Sequence, residues 1–116
     1  MAVKTYRWRL EEMLEDIALI GDYVGGLEYE DFAEDSMRMD ATVRRLARLG
    51  ESTKYLPNAA LLEHSSVPWE EMRSVRNFLV HDYFGISSYS LWLTVTVELP
   101  RLERLLIRAL EGWKEN

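Results

Sequence analysis

Apolar residues recur at helical spacing along most of the chain, and the first two helical segments lie before Pro57. Over residues 5–24 they fall on one side of a helix that Gly25 and Gly26 would end. These apolar residues are Tyr6, Leu10, Met13, Leu14, Ile17 and Tyr23. Over residues 31–56 the apolar positions again occupy a narrow arc. The pattern predicts a first helix over 5–24 and a second over 31–56.

Two further helical segments follow a predicted connecting loop at residues 58–67. Pro68 is suited to the first position of the third helix, which should end at residues 83–85. Ser87 or Ser88 can cap a fourth helix that runs to about residue 113, with a bend expected at Pro100. No segment shows the alternation of a strand. The sequence therefore predicts one all-α domain over 1–116, an antiparallel up-down bundle of about four main helices.

Composition narrows the classes of chemistry that this bundle can support. The chain has 116 residues, a net charge of −6 and no cysteine, so disulfides and thiolate catalysis are excluded. Only two histidines are present, which disfavours a metal site built on His or Cys, and no cofactor-binding motif occurs. The most apolar run, residues 91–97, is far shorter than the roughly 20 residues of a membrane helix. We expect a cytoplasmic protein with no membrane partner.

The third helix carries the residues of clearest chemical interest. At 100° per residue, Arg76 lies about 40° from Met72 and so within the apolar arc, where its charge needs a carboxylate or water. Asn77 and His81 are four residues apart, on the other side, where one can orient the other. A helix that has both a core face and clustered polar groups more often borders a second surface than plain solvent.

The same residues also allow a purely structural interpretation. His81, near a helix C-terminus, could be a cation that the helix dipole favours. Arg76 could extend its side chain to pair with an acid such as Glu51. Tyr83 could pack in the core with its hydroxyl at the rim. Geometry alone does not separate these roles from functional ones, since structural ion pairs resemble functional ones.

The segment Arg76-Asn77-(Phe-Leu-Val)-His81-Asp82-Tyr83 resembles the motif of HepT-like HEPN ribonucleases. That motif is an Arg, four residues, a His, one residue and a Tyr. Other parts of the chain resemble the same family in the same order. They are Leu49-Gly50-Glu51-Ser52, Val67-Pro68-Trp69, Trp92 and Leu99-Pro100-Arg101-Leu102.

The resemblance implies a two-fold dimer that cleaves RNA without a metal. Arg76 and His81 point about 140° apart on one helix, so two protomers would be needed for a composite cleft. In that cleft His81 would be the general base or acid, and Arg76 would hold the scissile phosphate. Asn77 would orient His81 or bind phosphate, with Asp82 and Glu51 in supporting roles. The expected products carry a 2′,3′-cyclic phosphate and a 5′-hydroxyl.

Two arginine clusters could contact an RNA backbone. Arg101, Arg104 and Arg108 form one stripe on the fourth helix, while Arg44 and Arg48 lie with Arg45 on the second. Both clusters could equally be solvated helix surface, since glutamates lie near them. The acidic total weighs against tight RNA binding.

The resemblance also implies a partner, because HepT toxins usually pair with a nucleotidyltransferase antitoxin of the MNT type. That enzyme transfers AMP to the motif tyrosine, which corresponds to Tyr83. Such an anionic adduct, two residues from His81, would fill the cleft and repel substrate phosphate. The alternative is a non-catalytic HEPN subunit that binds nucleotide or presents substrate to a nucleotidyltransferase, since a fold does not fix a function.

Overall fold

A computed structural model describes residues 6–82 and 87–114, without the side chains of residues 76–82. In these ranges the chain is helical and has no strand. The helices are α1 (Arg7–Val24), α2 (Tyr29–Ala33), α3 (Ser36–Ser52), α4 (Asn58–Glu63), α5 (Trp69–Asp82), α6 (Ser88–Leu93) and α7 (Leu99–Glu111). A 3₁₀ turn, Thr53–Tyr55, follows α3, and a π turn, Thr94–Glu98, joins α6 to α7. The predicted all-α class is confirmed.

Four helices of 13 to 18 residues, α1, α3, α5 and α7, build the bundle. Helix α1 packs against α3 and α7, and α3 packs against α5. The apolar residues at helical spacing in the last helical segment are buried in full. They are Leu91, Val95, Leu99, Leu102, Leu106, Ala109 and Trp113. Just after α1, Gly26 has a φ of 78°, the left-handed conformation that ends many helices.

The second predicted helix is wrong in one respect, because the chain breaks it into α2 and α3. Asp35 is the N-cap of α3, where its side chain accepts a hydrogen bond from the Arg38 N–H at 3.0 Å. The same carboxylate lies 2.9 Å from Nε of Arg38. A short acidic side chain that bonds locally to the backbone favours a cap over a helix interior, so the helix restarts here. The second segment also ends earlier than predicted, with the 3₁₀ turn after Ser52.

The loop predicted at residues 58–67 is also wrong in part, because α4 occupies its first six residues. Pro57 is the N-cap residue, with φ of −69°, and its carbonyl accepts hydrogen bonds from Ala60 and Leu61. The fixed φ of proline starts a helix readily, and the Ala-Ala-Leu-Leu run has high helix propensity. Helix α4 ends at Glu63, and the ring of the next residue, His64, stacks on that of Trp113 at 4.6 Å between centroids. His64 therefore has a packing role.

The bend predicted at Pro100 takes the form of the π turn just before it. Proline has no N–H, and its ring presses on the carbonyl four residues earlier in an α-helix. The wider π turn accommodates this, since the N–H of Leu99 donates to the Thr94 carbonyl, five residues back. Before the turn, Ser87 caps α6 as predicted, accepting from the Ser90 N–H at 3.0 Å. No helix in the described ranges is both long and apolar enough to cross a bilayer.

A buried acid joins α1 to α3. Asp16 is 1% exposed, and its Oδ1 accepts a hydrogen bond from Arg45 at 3.0 Å. Its Oδ2 lies 3.5 Å from Nε of Arg48, close enough for an ion pair although no hydrogen bond forms there. Burial raises the pKa of Asp16, and it outweighs the opposing hydrogen bond and charges of the two arginines. The ion pair thus fixes the α1–α3 geometry at a desolvation cost.

Replacing Asp16 with Asn should change the pH dependence of stability. Because the pKa of Asp16 is higher in the folded state, its carboxyl contributes most to folding stability at low pH. That contribution falls as pH rises through the folded-state pKa. Asn mimics the protonated acid, so at pH 7 we expect the free energy of unfolding of the variant to match that of the wild type within about 1 kcal/mol. Asp16→Ala, which removes the acceptor, should cost about 1.5–3 kcal/mol.

Urea unfolding of the wild type and both variants between pH 4 and pH 8 measures these differences. As pH falls, the free energy of unfolding of the wild type should rise relative to that of Asp16→Asn. If it rises instead as pH increases, the charges of the arginines, and not burial, dominate the pKa of Asp16.

Candidate functional site

The predicted site helix is present as α5, and its N-terminus is anchored. The Pro68 carbonyl accepts the N–H of Met72 at 3.1 Å, so α5 begins one residue later than predicted. Glu70 and Glu71 occupy the first turn, where the helix dipole favours negative charge. The indole N–H of Trp69 donates to the His64 carbonyl at 3.0 Å. These contacts hold the start of α5 against the preceding turn.

One face of α5 is turned toward the core. Trp69 and Met72 are 6% and 5% exposed, and Val75 is half-buried against the same core. Position 76 follows Met72 by one turn of the same continuous helix. The helix-wheel interpretation of the buried part of α5 is therefore consistent with the packing of its first two turns.

A hydrogen-bond chain locks α5 to the end of α3. Nε of Arg73 donates to the hydroxyl of Thr53 at 3.1 Å, and that hydroxyl donates to the Gly50 carbonyl at 2.8 Å. Thr53 is fully buried, and Arg73 also lies 3.4 Å from Glu70. These hydrogen bonds thus join α5 to the last turn of α3. Arg73 was not predicted as a site residue, although a cation one turn before Arg76 was a usable signal.

Glu51, predicted as a supporting residue, lies on this last turn of α3. Its Oε1 is 3.4 Å from Nζ of Lys54, and its Oε2 is shielded from solvent. The side chain as a whole is 35% exposed. The Glu51 carboxylate is thus partly buried on the helix that packs against α5.

The predicted catalytic residues share one continuous helix. Arg76, Asn77, His81 and Asp82 all belong to α5, while their side chains lie outside the described part of the molecule. Tyr83, the predicted AMP acceptor, lies outside the described residues altogether. Their roles remain predictions, and the described structure contributes the position of the helix that carries them.

The predicted RNA-binding arginines differ in their surroundings. Arg44, Arg104 and Arg108 are exposed. Arg101 is exposed too, with its guanidinium 3.8 Å from Glu98. Arg48 pairs with Glu12 at 3.0 Å as well as with Asp16, a structural role that the sequence did not predict. Arg48 is exposed too, but two acids hold it, and the RNA-binding role of all five arginines stays a prediction.

A groove of about 380 Å³ opens between α3, α5 and α7. Leu49 and Gly50 of α3 line it together with Met72 and Val75 of α5, and Leu102 of α7 completes the apolar wall. Glu71, Glu98 and Arg101 also line the groove, and its mostly apolar surface suits an apolar side chain better than a phosphate. Across the described ranges, no group of three His, Cys, Asp or Glu residues could hold a metal ion.

Comparison with known proteins assigns the chain to a family. The model of the family "Ribonuclease HepT-like" matches residues 13–109, which include the whole of α5. The chain belongs to the HepT-like ribonuclease family. The match spans the bundle from the middle of α1 to near the end of α7, so the family resemblance inferred from the motifs is confirmed.

Individual HepT-like relatives align along nearly the full chain. "Putative RNase TTE0752" of Caldanaerobacter subterraneus subsp. tengcongensis is 37% identical over 112 residues, which cover 97% of this chain and 100% of the relative. "Probable ribonuclease HepT" of Thermococcus cleftensis is 35% identical over 100 residues, covering 86% and 91%. No solved structure matches this HepT-like chain.

Proposed function

We propose that this chain is an endoribonuclease that cleaves RNA without a metal ion and serves as the toxin of a toxin–antitoxin pair. Family membership over residues 13–109 carries the proposal, because the matched region contains α5 with Arg76, Asn77 and His81 on one uninterrupted helix. The names of the two relatives, both of which contain the word RNase or ribonuclease, support RNA as the substrate class.

The proposed site is shared by two protomers. Positions 76 and 81 are about 140° apart around α5, so a single helix directs them to different sides. Two copies of α5 across a two-fold axis would bring an arginine of one protomer beside a histidine of the other. The hydrogen-bond chain from Arg73 to Thr53 supports this use of α5, since a shared cleft needs a helix that is fixed to its own bundle.

The proposed reaction is an internal transesterification. The imidazole of His81 accepts the proton of the ribose 2′-hydroxyl, and the freed oxygen forms a bond to the adjacent phosphorus. The phosphorus–O5′ bond breaks, and a His81 imidazolium donates a proton to the leaving oxygen. The products are a 2′,3′-cyclic phosphate and a 5′-hydroxyl, and no water or metal is consumed.

The neighbouring residues would stabilise and orient this reaction. Arg76 would hold the two non-bridging phosphate oxygens, whose negative charge grows in the transition state. Asn77, one turn before His81, would orient the imidazole, and Asp82 and Glu51 would support the cations of the cleft. The exposed Arg44, Arg101, Arg104 and Arg108 would guide the RNA backbone more weakly, with Arg48 also available in part.

Control would come from a partner nucleotidyltransferase of the MNT type. In that step the Tyr83 oxygen would attack the α-phosphorus of ATP, lose its proton and release pyrophosphate. The resulting AMP ester would put a bulky anion two residues from His81. The nuclease would thereby be silenced until the adduct is removed or the protein replaced.

Expression of the chain alone tests the toxin function. The wild type should arrest growth of the host and fragment its RNA, while His81→Ala, expressed to the same level, should do neither. Arrest by both proteins, or intact RNA with the wild type, would favour the non-catalytic subunit instead.

Mixing two inactive variants tests the shared cleft. Arg76→Ala and His81→Ala should each be inactive alone, whereas unfolding and refolding them together should restore a substantial fraction of wild-type cleavage. The mixed dimer regains one arginine and one histidine across the axis. RNA cleavage of the refolded mixture, with each variant refolded alone as control, measures this. A mixture as inactive as its components, despite exchange of subunits, would contradict the composite site.

A further inference from the structure

Three side chains form an exposed stack at the junction of α1 and the 3₁₀ turn. The guanidinium carbon of Arg9 lies 4.0 Å from the centre of the Trp8 ring and 4.2 Å from that of Tyr55. Trp8 is 41% exposed and Tyr55 51% exposed. We call Trp8, Arg9 and Tyr55 the aromatic stack. It lies outside the predicted catalytic set and brings together two parts of the chain that are distant in sequence.

The aromatic stack is a fixed feature of the surface. Arg9 is only 22% exposed and lies 3.8 Å from Glu12, which also pairs with Arg48 at 3.0 Å. The cation is thus held by Glu12 while the centres of both rings lie 4.0 Å and 4.2 Å from its guanidinium carbon. Such cation–π contacts help to fasten α1 to the turn. A role only in attaching α1 to the turn would not require both rings to stay about half exposed, because exposed apolar surface is unfavourable.

The 3₁₀ turn also connects the aromatic stack to the motif helix. Tyr55 ends the turn whose first residue, Thr53, accepts the hydrogen bond from Arg73 of α5. From Arg73 to His81 the helix rises by about 12 Å, at 1.5 Å per residue. A strand of RNA cleaved near His81 would need to extend only a few nucleotides to reach the turn.

Charge favours bases over phosphates as the ligand of this surface. The chain has a net charge of −6, so phosphate contacts supply less affinity than they do in a basic protein. Stacking on aromatic rings and on arginine does not depend on net charge, and it accepts any base. An acidic nuclease that must hold single-stranded RNA gains most from this kind of contact.

We propose that the aromatic stack is a binding subsite for unpaired RNA bases, which pack on the exposed surfaces of Trp8 and Tyr55. The subsite rests on the proposed ribonuclease function and names its substrate class as single-stranded RNA. It would hold the strand on one side of the cleaved bond, and the cleft itself would hold the scissile phosphate.

Binding of a 2′-O-methylated RNA oligonucleotide, which cannot react through its 2′-oxygen, tests the subsite. By fluorescence anisotropy, Trp8→Leu and Tyr55→Leu should each raise Kd by about fivefold or more, as expected for the loss of one base stack. Trp8→Phe and Tyr55→Phe keep a ring and should retain most of the affinity. Tyr89→Leu is the matched control, since Tyr89 is 52% exposed on α6, and it should bind as the wild type does.

Abasic positions in the oligonucleotide give a second measurement, and its result with the wild type does not depend on the folding of any variant. Removing bases should weaken binding to the wild type by a similar factor, and the same removal should have little further effect on the double Leu variant. Leu variants that fold and bind like the wild type, or an abasic strand that binds like the intact one, would overturn the subsite. So would Leu variants that keep RNA affinity but lose a protein partner.

Cleavage of unmodified RNA, measured in parallel, separates this proposal from the function on which it rests. Active wild-type protein whose KM rises in the Leu variants with kcat unchanged supports both. If the wild type cleaves RNA but KM is unchanged in these variants, only the subsite proposal is contradicted. Wild-type protein that does not cleave RNA sinks the ribonuclease function, whatever the oligonucleotide binding shows.

Discussion

Replacing His81 with Ala should lower the rate of RNA cleavage by about 10²–10⁴-fold, the usual contribution of a general acid–base. Arg76→Ala should lower it by about 10²–10³-fold, because a developing phosphate charge loses its stabilising donor. Single-turnover cleavage of a labelled RNA in the presence of EDTA measures both rates. Helical content by circular dichroism should remain near that of the wild type.

Two substitutions of the same residue types serve as controls for this loss. His64→Ala removes the other histidine, which stacks on Trp113, and should reduce stability but not the cleavage rate of folded protein. Arg38→Ala removes an exposed arginine that pairs with Asp35 and should leave cleavage unchanged. Cleavage that survives both motif substitutions, or that is lost equally in the controls, would exclude the proposed roles.

Transfer of AMP to Tyr83 should nearly abolish cleavage, and Tyr83→Phe should escape this control. The adduct adds negative charge beside a cleft that must accept a phosphate, so substrate is repelled. Phe lacks the oxygen that would carry AMP and keeps the ring. After co-expression with a cognate nucleotidyltransferase, intact-mass and peptide mass spectrometry should show one or more AMP groups on Tyr83 in the wild type and none in the variant.

The activity of Tyr83→Phe without the transferase is the control, since the hydroxyl could also contact RNA. AMP on another residue, or on no residue, would contradict the proposed regulation. That outcome would leave the nuclease function to be judged by the motif variants alone.

The last helical segment shows what the sequence could predict about the fold. The stripe from Leu91 to Trp113 repeats at helical spacing and is buried throughout, because burial of one face is the dominant local constraint there. The break at Asp35 and the helix after Pro57 were not predicted. The first depends on side-chain capping by Asp35 and the second on the backbone angle of Pro57, and hydrophobic periodicity registers neither.

The candidate site was predictable where its residues are close in sequence and not where they are distant. The spacing of Arg76, Asn77 and His81 placed them on one helix, and α5 carries all three. The buried pairing of Asp16 and the aromatic stack join separate helices and turns. Contacts of this kind follow from tertiary packing, so neither could be deduced from local patterns.

The chemistry of the RNA ends tests the central claim most directly. Purified wild-type protein should cleave a defined single-stranded RNA in EDTA, leaving a 2′,3′-cyclic phosphate on one fragment and a 5′-hydroxyl on the other. His81→Ala, purified identically, should leave the RNA intact. Fragments that carry a 5′-phosphate, cleavage that stops in EDTA, or equal cleavage by His81→Ala would contradict a metal-independent reaction at the α5 motif.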